Sequence, residues 1–350
     1  MSTRVIVIGA GIMGCCAALE LAKRGAKVVL LERAVPGAEA SSAAAGILGA
    51  QVEAASHGRT PHFEGALRAR ERYPEVAREL HERTGIDVGY KKCGVLKAAL
   101  HEEDAKGFAD VVAWQGHAGA RVELLSDRLA REVEPALSEE VRSALYFPDD
   151  AQVDPRALLR ALIVAVTAAR AELRAGATVR SLLVEGGACK GVVLEDGELR
   201  GDAVVLAAGS WSSLVPGVPD AVRVEPVRGQ IVELEERPPS AKTIVFGARG
   251  YLVPRGDGRV LCGSTMEQAG FRREVTAAGV LHVLSTAIGL VPALGRAQVG
   301  ASWSNFRPMS KEPLVGRSPL PGLVLATGHF RSGILLAPDT GLEVAKTVLG

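Results

Sequence analysis

The sequence has almost no excess of either charge. Forty-one Lys and Arg stand against 40 Asp and Glu, a formal net charge of +1, and the basic residues form no block or tail. Nucleic acid and anionic membrane surfaces are therefore not expected partners, since both select for concentrated positive charge. Long apolar runs are missing too. The longest helical apolar segment, Leu158 to Leu173, is interrupted by Arg160 and Arg170 and is too short to cross a bilayer. The five cysteines, Cys15, Cys16, Cys93, Cys189 and Cys262, show no CxxC or Cys/His spacing, and no HExxH occurs. That pattern fits reduced thiols and predicts no metal site. A charged leader with an apolar core and a small-residue cleavage site is also absent, so a cytoplasmic location is expected. What remains is ordinary for a globular chain: 47% hydrophobic and 23% charged over 350 residues, enough for about two domains sharing a large core.

The most informative stretch runs from Arg4 to Glu32. Val5-Ile6-Val7-Ile8 is a short continuous apolar run, as in a parallel strand buried on both faces, and it leads into Gly9-Ala10-Gly11-Ile12-Met13-Gly14. Ile12, Cys15, Cys16 and Leu19 then recur at helical spacing, Gly25 stops the helix, and Lys27 to Leu31 reads as a second strand ending at Glu32. Each part has a physical task in binding a dinucleotide. Gly9 permits the tight turn, Gly11 lets backbone N–H groups reach a pyrophosphate, and Gly14 lets helix and strand pack closely. Glu32 falls where a ribose hydroxyl needs an acceptor. The pattern leaves open which dinucleotide binds.

Further along, Ser41 to Gly49 is rich in small residues, which suits either close backbone approach to a flat ligand or a capped alanine-rich helix. A charged helix is expected from Gly65 to Thr84, with Pro74 marking a break or fresh start. Val88 to Leu100 and Leu145 to Phe147 read as strands around a helical middle, Glu102 to Gly116. Asp154-Pro155 predicts a helix start, with the helix ending near Gly176. Asp196-Gly197 predicts a tight hairpin turn, and Ala203 to Leu206 a buried strand running into Ala207-Ala208-Gly209. Alternating strands are expected from Val222 to Arg259, with Gly256-Asp257-Gly258 as a turn, then a helix from Thr276 to Ile288. Leu323 to Ala326 reads as a strand, Thr327 to Gly333 as a loop, and Pro338 as the start of a closing helix.

Four segments together carry a family pattern: Ile8 to Gly14, Ser42 to Ala50, Val205 to Ser212, and Gly328 to Pro338. Over nearly its whole length the chain resembles the FAD-dependent amine and amino-acid oxidases related to D-amino acid oxidase, the DAO family. Within them it is most similar to the glycine-oxidising branch associated with thiamine biosynthesis. The resemblance implies an α/β plus α+β fold: a discontinuous Rossmann-like FAD-binding domain with an inserted substrate domain built on an antiparallel sheet. The expected boundaries are 1–86, 146–215 and 316–350 for the first, and 87–145 and 216–315 for the second. It implies noncovalent FAD, held by Gly9, Gly11, Ile12, Met13 and Gly14. Glu32 and Arg33 would lie near the adenosine, Ser41 and Ser42 near the pyrophosphate, and Ala45, Gly46 and Ile47 against the isoalloxazine. Val179 would contact the adenine side, Gly209 would deliver a second turn, and His329, Phe330, Arg331, Ser332, Gly333, Ile334 and Leu335 would border the flavin. A homotetramer is a further implication.

The implied chemistry moves a hydride from an amino-acid Cα to the flavin, so orientation matters more than acid-base work. Arg307 and Arg331 match the family's substrate-binding arginines, and Tyr251 matches a hydroxyl that adds a hydrogen bond. A guanidinium holds a carboxylate bidentately and keeps its charge, which makes Arg307 the expected main anchor. His329 is assigned no proton transfer. Glycine, sarcosine and small D-amino acids are the expected substrates, with dioxygen as acceptor and hydrogen peroxide, ammonia and a 2-oxo acid as products. A quinone-linked D-amino-acid dehydrogenase and a flavin-binding accessory subunit are the alternatives. The loop Gly247-Ala248-Arg249-Gly250, just ahead of Tyr251, lacks the histidine or aromatic that the family pattern leads one to expect, and Arg249 would add charge at the pocket entrance.

Overall fold

The protein is described by a computed structural model covering residues 2–58 and 62–350. The strand Arg4–Ile8, buried after its first residue, lies between two parallel neighbours, Lys27–Glu32 and Ala203–Leu206. Strands covered on both faces must be apolar throughout, which is why these segments read as unbroken Val, Ile and Leu runs. Leu323–His329 joins this parallel half on one side and Glu172–Ala175 on the other.

On one face of the parallel half pack the helices Ile12–Lys23, Phe63–Thr84, Pro155–Ala168 and Gly333–Leu349, which share Leu21, Tyr73, Leu158, Leu162 and Val344 in one core. The other face is covered by a three-stranded antiparallel sheet, Ser181–Glu185, Ala188–Leu194 and Gly197–Arg200, whose Leu182, Val192 and Leu194 meet Ile6, Ile8 and Leu31. The hairpin predicted at Asp196-Gly197 forms one residue earlier: its turn residues are Glu195 and Asp196, and Gly197 pairs with Leu194 in the strand.

The second half is largely antiparallel. Glu225–Glu235 pairs with Arg259–Gly263, followed outward by Tyr251–Pro254, Ile244–Phe246, Val95–Ala99, Ser143–Phe147 and Glu123–Ser126. Both halves belong to one 13-stranded sheet. They are joined by the 20-residue strand Gln298–Arg317, which pairs with Glu225–Glu235 along its first part and with Leu323–His329 along its last. The fold is thus the expected discontinuous nucleotide-binding half with an inserted antiparallel half. The joining strand runs through position 316 without a break, so the halves share hydrogen bonds instead of a linker. Among the described residues no helix is long and apolar enough to cross a membrane.

Several elements differ from the sequence expectation. The helix opened by Asp154, whose carboxylate accepts the N–H groups of Arg156 and Ala157 (2.9 and 3.1 Å), ends at Ala168 instead of near Gly176. Arg170 takes a left-handed φ of 63°, and Glu172–Ala175 then forms a strand at the sheet's edge. The segment expected as one helix from Glu102 divides at Gly107, φ +82°, into a single turn, Glu102–Ala105, and the helix Phe108–His117. The strand expected from Val88 begins at Val95, after the left-handed Gly89 and Gly94. Helix Phe63–Thr84 runs through Pro74 without a break, with the proline at an exposed position. Thr327 to His329 belong to a strand, not a loop, and the closing helix starts at Gly333, so Pro338 lies inside it. A proline there leaves the carbonyl four residues earlier without its helical donor. That carbonyl, on Ile334, accepts the hydroxyl of Tyr73.

Candidate active site

The turn after the first strand is built on backbone that only glycine takes easily. Gly9 has φ +100°, and a Cβ there would stand 2.5 Å from the Ala207 carbonyl oxygen. A Cβ on Gly14 would stand 1.8 Å from the Gly9 carbonyl oxygen, so its role is packing, and it does not line the cavity described below. The Ile12 N–H, at the start of the first helix, donates to Ser41 Oγ at 2.9 Å. Glu32 holds the same turn, accepting the Ala10 N–H at 3.1 Å and the Ala34 N–H at 3.0 Å. Arg33 pairs with Glu39 at 2.7 Å and lies 3.9 Å above the Trp211 ring.

Gly9, Ile12, Glu32, Arg33, Ser41 and Trp211 line one end of a cavity of about 360 Å³ that runs along the seam between the two sheet halves. Of the residues predicted to bind the cofactor, Gly9, Gly11, Ile12, Met13, Glu32, Arg33, Ser41, Ala45, Gly46, Ile47, Val179, Gly209, His329, Phe330, Arg331, Gly333 and Ile334 all line it. Ser42, Ser332 and Leu335 do not; Ser42 Oγ donates to the Glu39 carbonyl at 3.3 Å, and Leu335 is buried in the helical core. The N-termini of two long helices, Ile12–Lys23 and Gly333–Leu349, open onto the cavity, and each presents N–H groups without intrahelical acceptors.

The small-residue stretch after the second strand is neither a long helix nor wholly extended. One helical turn, Ala40–Ala43, gives way to Ile47–Leu48, which pairs with Ala151–Gln152, and a helix, Ala50–His57, follows. Gly46, with φ +71°, lies so close to the Val153 carbonyl that a Cβ would stand 2.1 Å from it. The buried Arg255 fixes this corner, donating to Gln152 Oε1 (2.6 Å), to the Val153 carbonyl (2.8 Å) and to the Ala45 carbonyl. Asp150 caps the next helix by accepting the N–H groups of Gln51 and Val52, and it meets Arg70 at 2.7 Å. Burial pushes the Asp150 pKa up to about 6 despite that arginine.

At the other end stand the predicted substrate residues. Arg307 sits on the joining strand opposite Val227, and its guanidinium lies over Gly229, where a Cβ would be 2.3 Å from Nη1. Its Nη1 donates to the Thr265 carbonyl at 3.2 Å and its Nη2 to Ser264 Oγ at 2.5 Å. No carboxylate lies within ion-pair distance of it among the described residues. Burial lowers its pKa, while the nearby Tyr251 raises it. Tyr251, 7% exposed, lines the same wall, its ring packed so closely on Gly263 that a Cβ there would be 2.8 Å away.

Arg331 stands differently. Its Nε and Nη2 donate to the two oxygens of Glu53 at 2.8 and 2.9 Å, a bidentate pair on the cavity wall. Burial pulls the Arg331 pKa down, but Glu53 outweighs it and the net shift is up. His329 is 3% exposed, with Nε2 2.9 Å from the Thr340 hydroxyl and Nδ1 buried without a partner. Burial lowers its pKa to about 4. Arg249 is exposed and does not line the cavity; its carbonyl lies 3.0 Å from His282 Nε2.

Glu53, Gly229, Arg255 and Asp150 were not found by sequence reasoning. Only Gly229 left a trace, as a glycine inside an apolar strand pattern, which marks close approach of another group.

The sequence model of the FAD dependent oxidoreductase family, DAO, matches residues 4–347. Glycine oxidase of Geobacillus kaustophilus is 39% identical, over 98% of this chain and 92% of its own. The bifunctional protein ThiO/ThiG of Nostoc sp. is 34% identical over 100% of this chain, which spans 53% of that longer protein. The crystal structure of the Geobacillus glycine oxidase superposes with a TM-score of 0.92 at 37% identity, covering 99% of this chain and 95% of that one.

Proposed function

The chain belongs to the FAD-dependent oxidoreductase family, and from that premise we propose that it oxidises glycine or a related small amino acid at Cα, with dioxygen as the electron acceptor. The residues present fit FAD. The N-terminus of Ile12–Lys23 and the Gly9–Gly14 turn suit a pyrophosphate at one end, where a Cβ on Gly11 would meet only Ser41 Oγ, at 3.2 Å, and the N-terminus of Gly333–Leu349, next to Arg331 in the chain, suits the flavin. The corner of Ala45, Gly46 and Ile47, where Gly46 takes φ +71° against the Val153 carbonyl, offers backbone with little side chain further along.

When bound, FAD supplies the acceptor for the hydride leaving the substrate Cα. The chain's own task is to hold the substrate. Arg307 carries that assignment, because it is a cavity-lining guanidinium with no carboxylate partner among the described residues. A bound amino-acid carboxylate would offset a charge that burial already makes costly, which the lowered pKa of Arg307 reflects. Tyr251 adds a hydroxyl beside it. His329, neutral near pH 7 and engaged by Thr340, positions backbone and transfers no proton. The imine product hydrolyses to ammonia and a 2-oxo acid, glyoxylate where the substrate is glycine, and the two electrons reduce dioxygen to hydrogen peroxide.

An anaerobic titration of the yellow protein with glycine, sarcosine and D-alanine tests this reading. Bleaching of the flavin band is expected, and no bleaching by any amino or imino acid would leave only a flavin-binding role. Stopped-flow mixing of the reduced protein with oxygen tests the acceptor, a negligible rate favouring a quinone. Arg307→Ala should stay yellow while its apparent substrate constant rises by orders of magnitude, since an unpaired buried charge partner costs roughly 2–5 kcal/mol.

A further inference from the structure

We propose that Glu53 sets how many anionic groups the substrate pocket accepts. It binds Arg331 bidentately and leaves Arg307, among the described residues, as the one wall guanidinium open to a carboxylate, so the pocket selects monocarboxylates and turns away a second carboxylate. The inference rests on the reading of Arg307 given above.

Glu53, Arg331, Arg307 and Tyr251 line the same cavity. Both oxygens of Glu53 face Arg331, at 2.8 and 2.9 Å, in the fork-to-fork geometry that makes such pairs strong and directional. Their side chains are 20% and 19% exposed, so the pair is screened less than a surface pair. A second substrate carboxylate seeking Arg331 must displace a carboxylate already in the best arrangement. Glu53 is also fixed from behind. Its helix, Ala50–His57, is capped by Asp150, which Arg70 holds in turn. Lys97 is near enough to affect the pair, since burial lowers its pKa while Glu53 raises it and Arg331 lowers it further. Its ammonium, however, donates to Ser56 Oγ at 2.9 Å, and Lys97 does not line the cavity. The wall therefore presents one guanidinium already engaged by a carboxylate and another, Arg307, with no carboxylate partner among the described residues, which matches a single carboxylate. Without Glu53, two like charges would face one small anion.

The test uses the flavin-loaded enzyme with Glu53→Gln, which keeps the shape and removes the charge. Anaerobic reduction is measured with glycine and with two dicarboxylates, iminodiacetate and D-aspartate. Binding of the unreactive acetate and malonate is read separately from the flavin spectrum. The dicarboxylate-to-monocarboxylate ratio should rise about ten- to a hundredfold in both measurements. Glu53→Asp should restore most of the original ratio, and Glu53→Gln with Arg331→Ala should lose the gain. An unchanged ratio in the yellow Glu53→Gln protein overturns the proposal, as does an equal rise in the double variant. If no amino acid reduces the original protein, the oxidase reading fails, and the malonate-to-acetate ratio still decides the role of Glu53.

Discussion

The hydroxyl of Tyr73 donates to the carbonyl of Ile334, the acceptor that Pro338 leaves unserved four residues later. Tyr73 is wholly buried, and Ile334 lies in the first turn of the closing helix, which lines the cavity. One side chain thus serves the carbonyl that a proline leaves free, inside a helix that borders the cavity. Tyr73→Phe should cost about 1–3 kcal/mol, the usual result of leaving a buried carbonyl without a donor. A urea unfolding midpoint measures it. A loss well under 1 kcal/mol would mean that water reaches the carbonyl instead.

Gly229 has no side chain because the Arg307 guanidinium lies across it. With Gly229→Ala, the new Cβ would stand 2.3 Å from Nη1, a distance that real contacts do not reach. The arginine must leave its present place over the strand. Substrate affinity should fall nearly as far as in Arg307→Ala, while flavin content and melting temperature change little. Wild-type kinetics in Gly229→Ala would show that Arg307 binds from some other position.

These two relationships mark where the sequence stops being legible. The fingerprint Gly9 to Gly14 could be read because its constraints are local: a positive φ at Gly9 and a Gly14 that presses on Gly9 itself. Buried parallel strands could be read because burial on both faces leaves an unbroken apolar run. Asp154-Pro155 was legible for the same reason, as a cap acts on N–H groups two and three residues away. The constraints on Gly229 and Pro338 come from across the fold, with Tyr73 and Ile334 separated by 261 positions. Arg331 could be placed at the site by its family resemblance, but its partner Glu53 lies 278 positions away, in a helix with no distinguishing pattern. The strand Glu172–Ala175 was read as helix because Ala, Leu and Arg favour one. Pairing with Lys27–Glu32 overrides that preference.

His329 gives the protein a pH dependence of known sign. Burial holds its folded-state pKa at about 4, below the ordinary histidine value of 6.5. The unfolded chain therefore binds more protons than the folded one between those values. Stability should be fully present above pH 6.5 and decline as the pH falls toward 4, by up to about 3 kcal/mol for a shift of this size. Unfolding midpoints of the flavin-free protein, taken across that window, should show the decline. His329→Gln should flatten the part of it due to this side chain. An identical slope in the variant would assign the effect to other groups.

Arg255 joins three acceptors from two segments of the chain: Gln152 Oε1, the Val153 carbonyl and the Ala45 carbonyl. Two of these flank Gly46, which a Cβ would drive into the Val153 carbonyl, so the corner depends on their spacing. A lysine keeps the charge but offers a point donor instead of a planar fork, and it cannot span all three acceptors. Arg255→Lys should leave at least one buried carbonyl short of a donor, at about 1–3 kcal/mol, and loosen Ala45 and Gly46 against the cavity. Because Arg255 itself does not line the cavity, the loss should appear in cofactor affinity and not in the substrate constant of the loaded enzyme. A corner weakened by about 2 kcal/mol corresponds to roughly a thirtyfold rise in the FAD dissociation constant. Fluorescence titration of the flavin-free protein with FAD measures it. Unchanged FAD affinity with a lower melting temperature would mean that Arg255 serves stability alone.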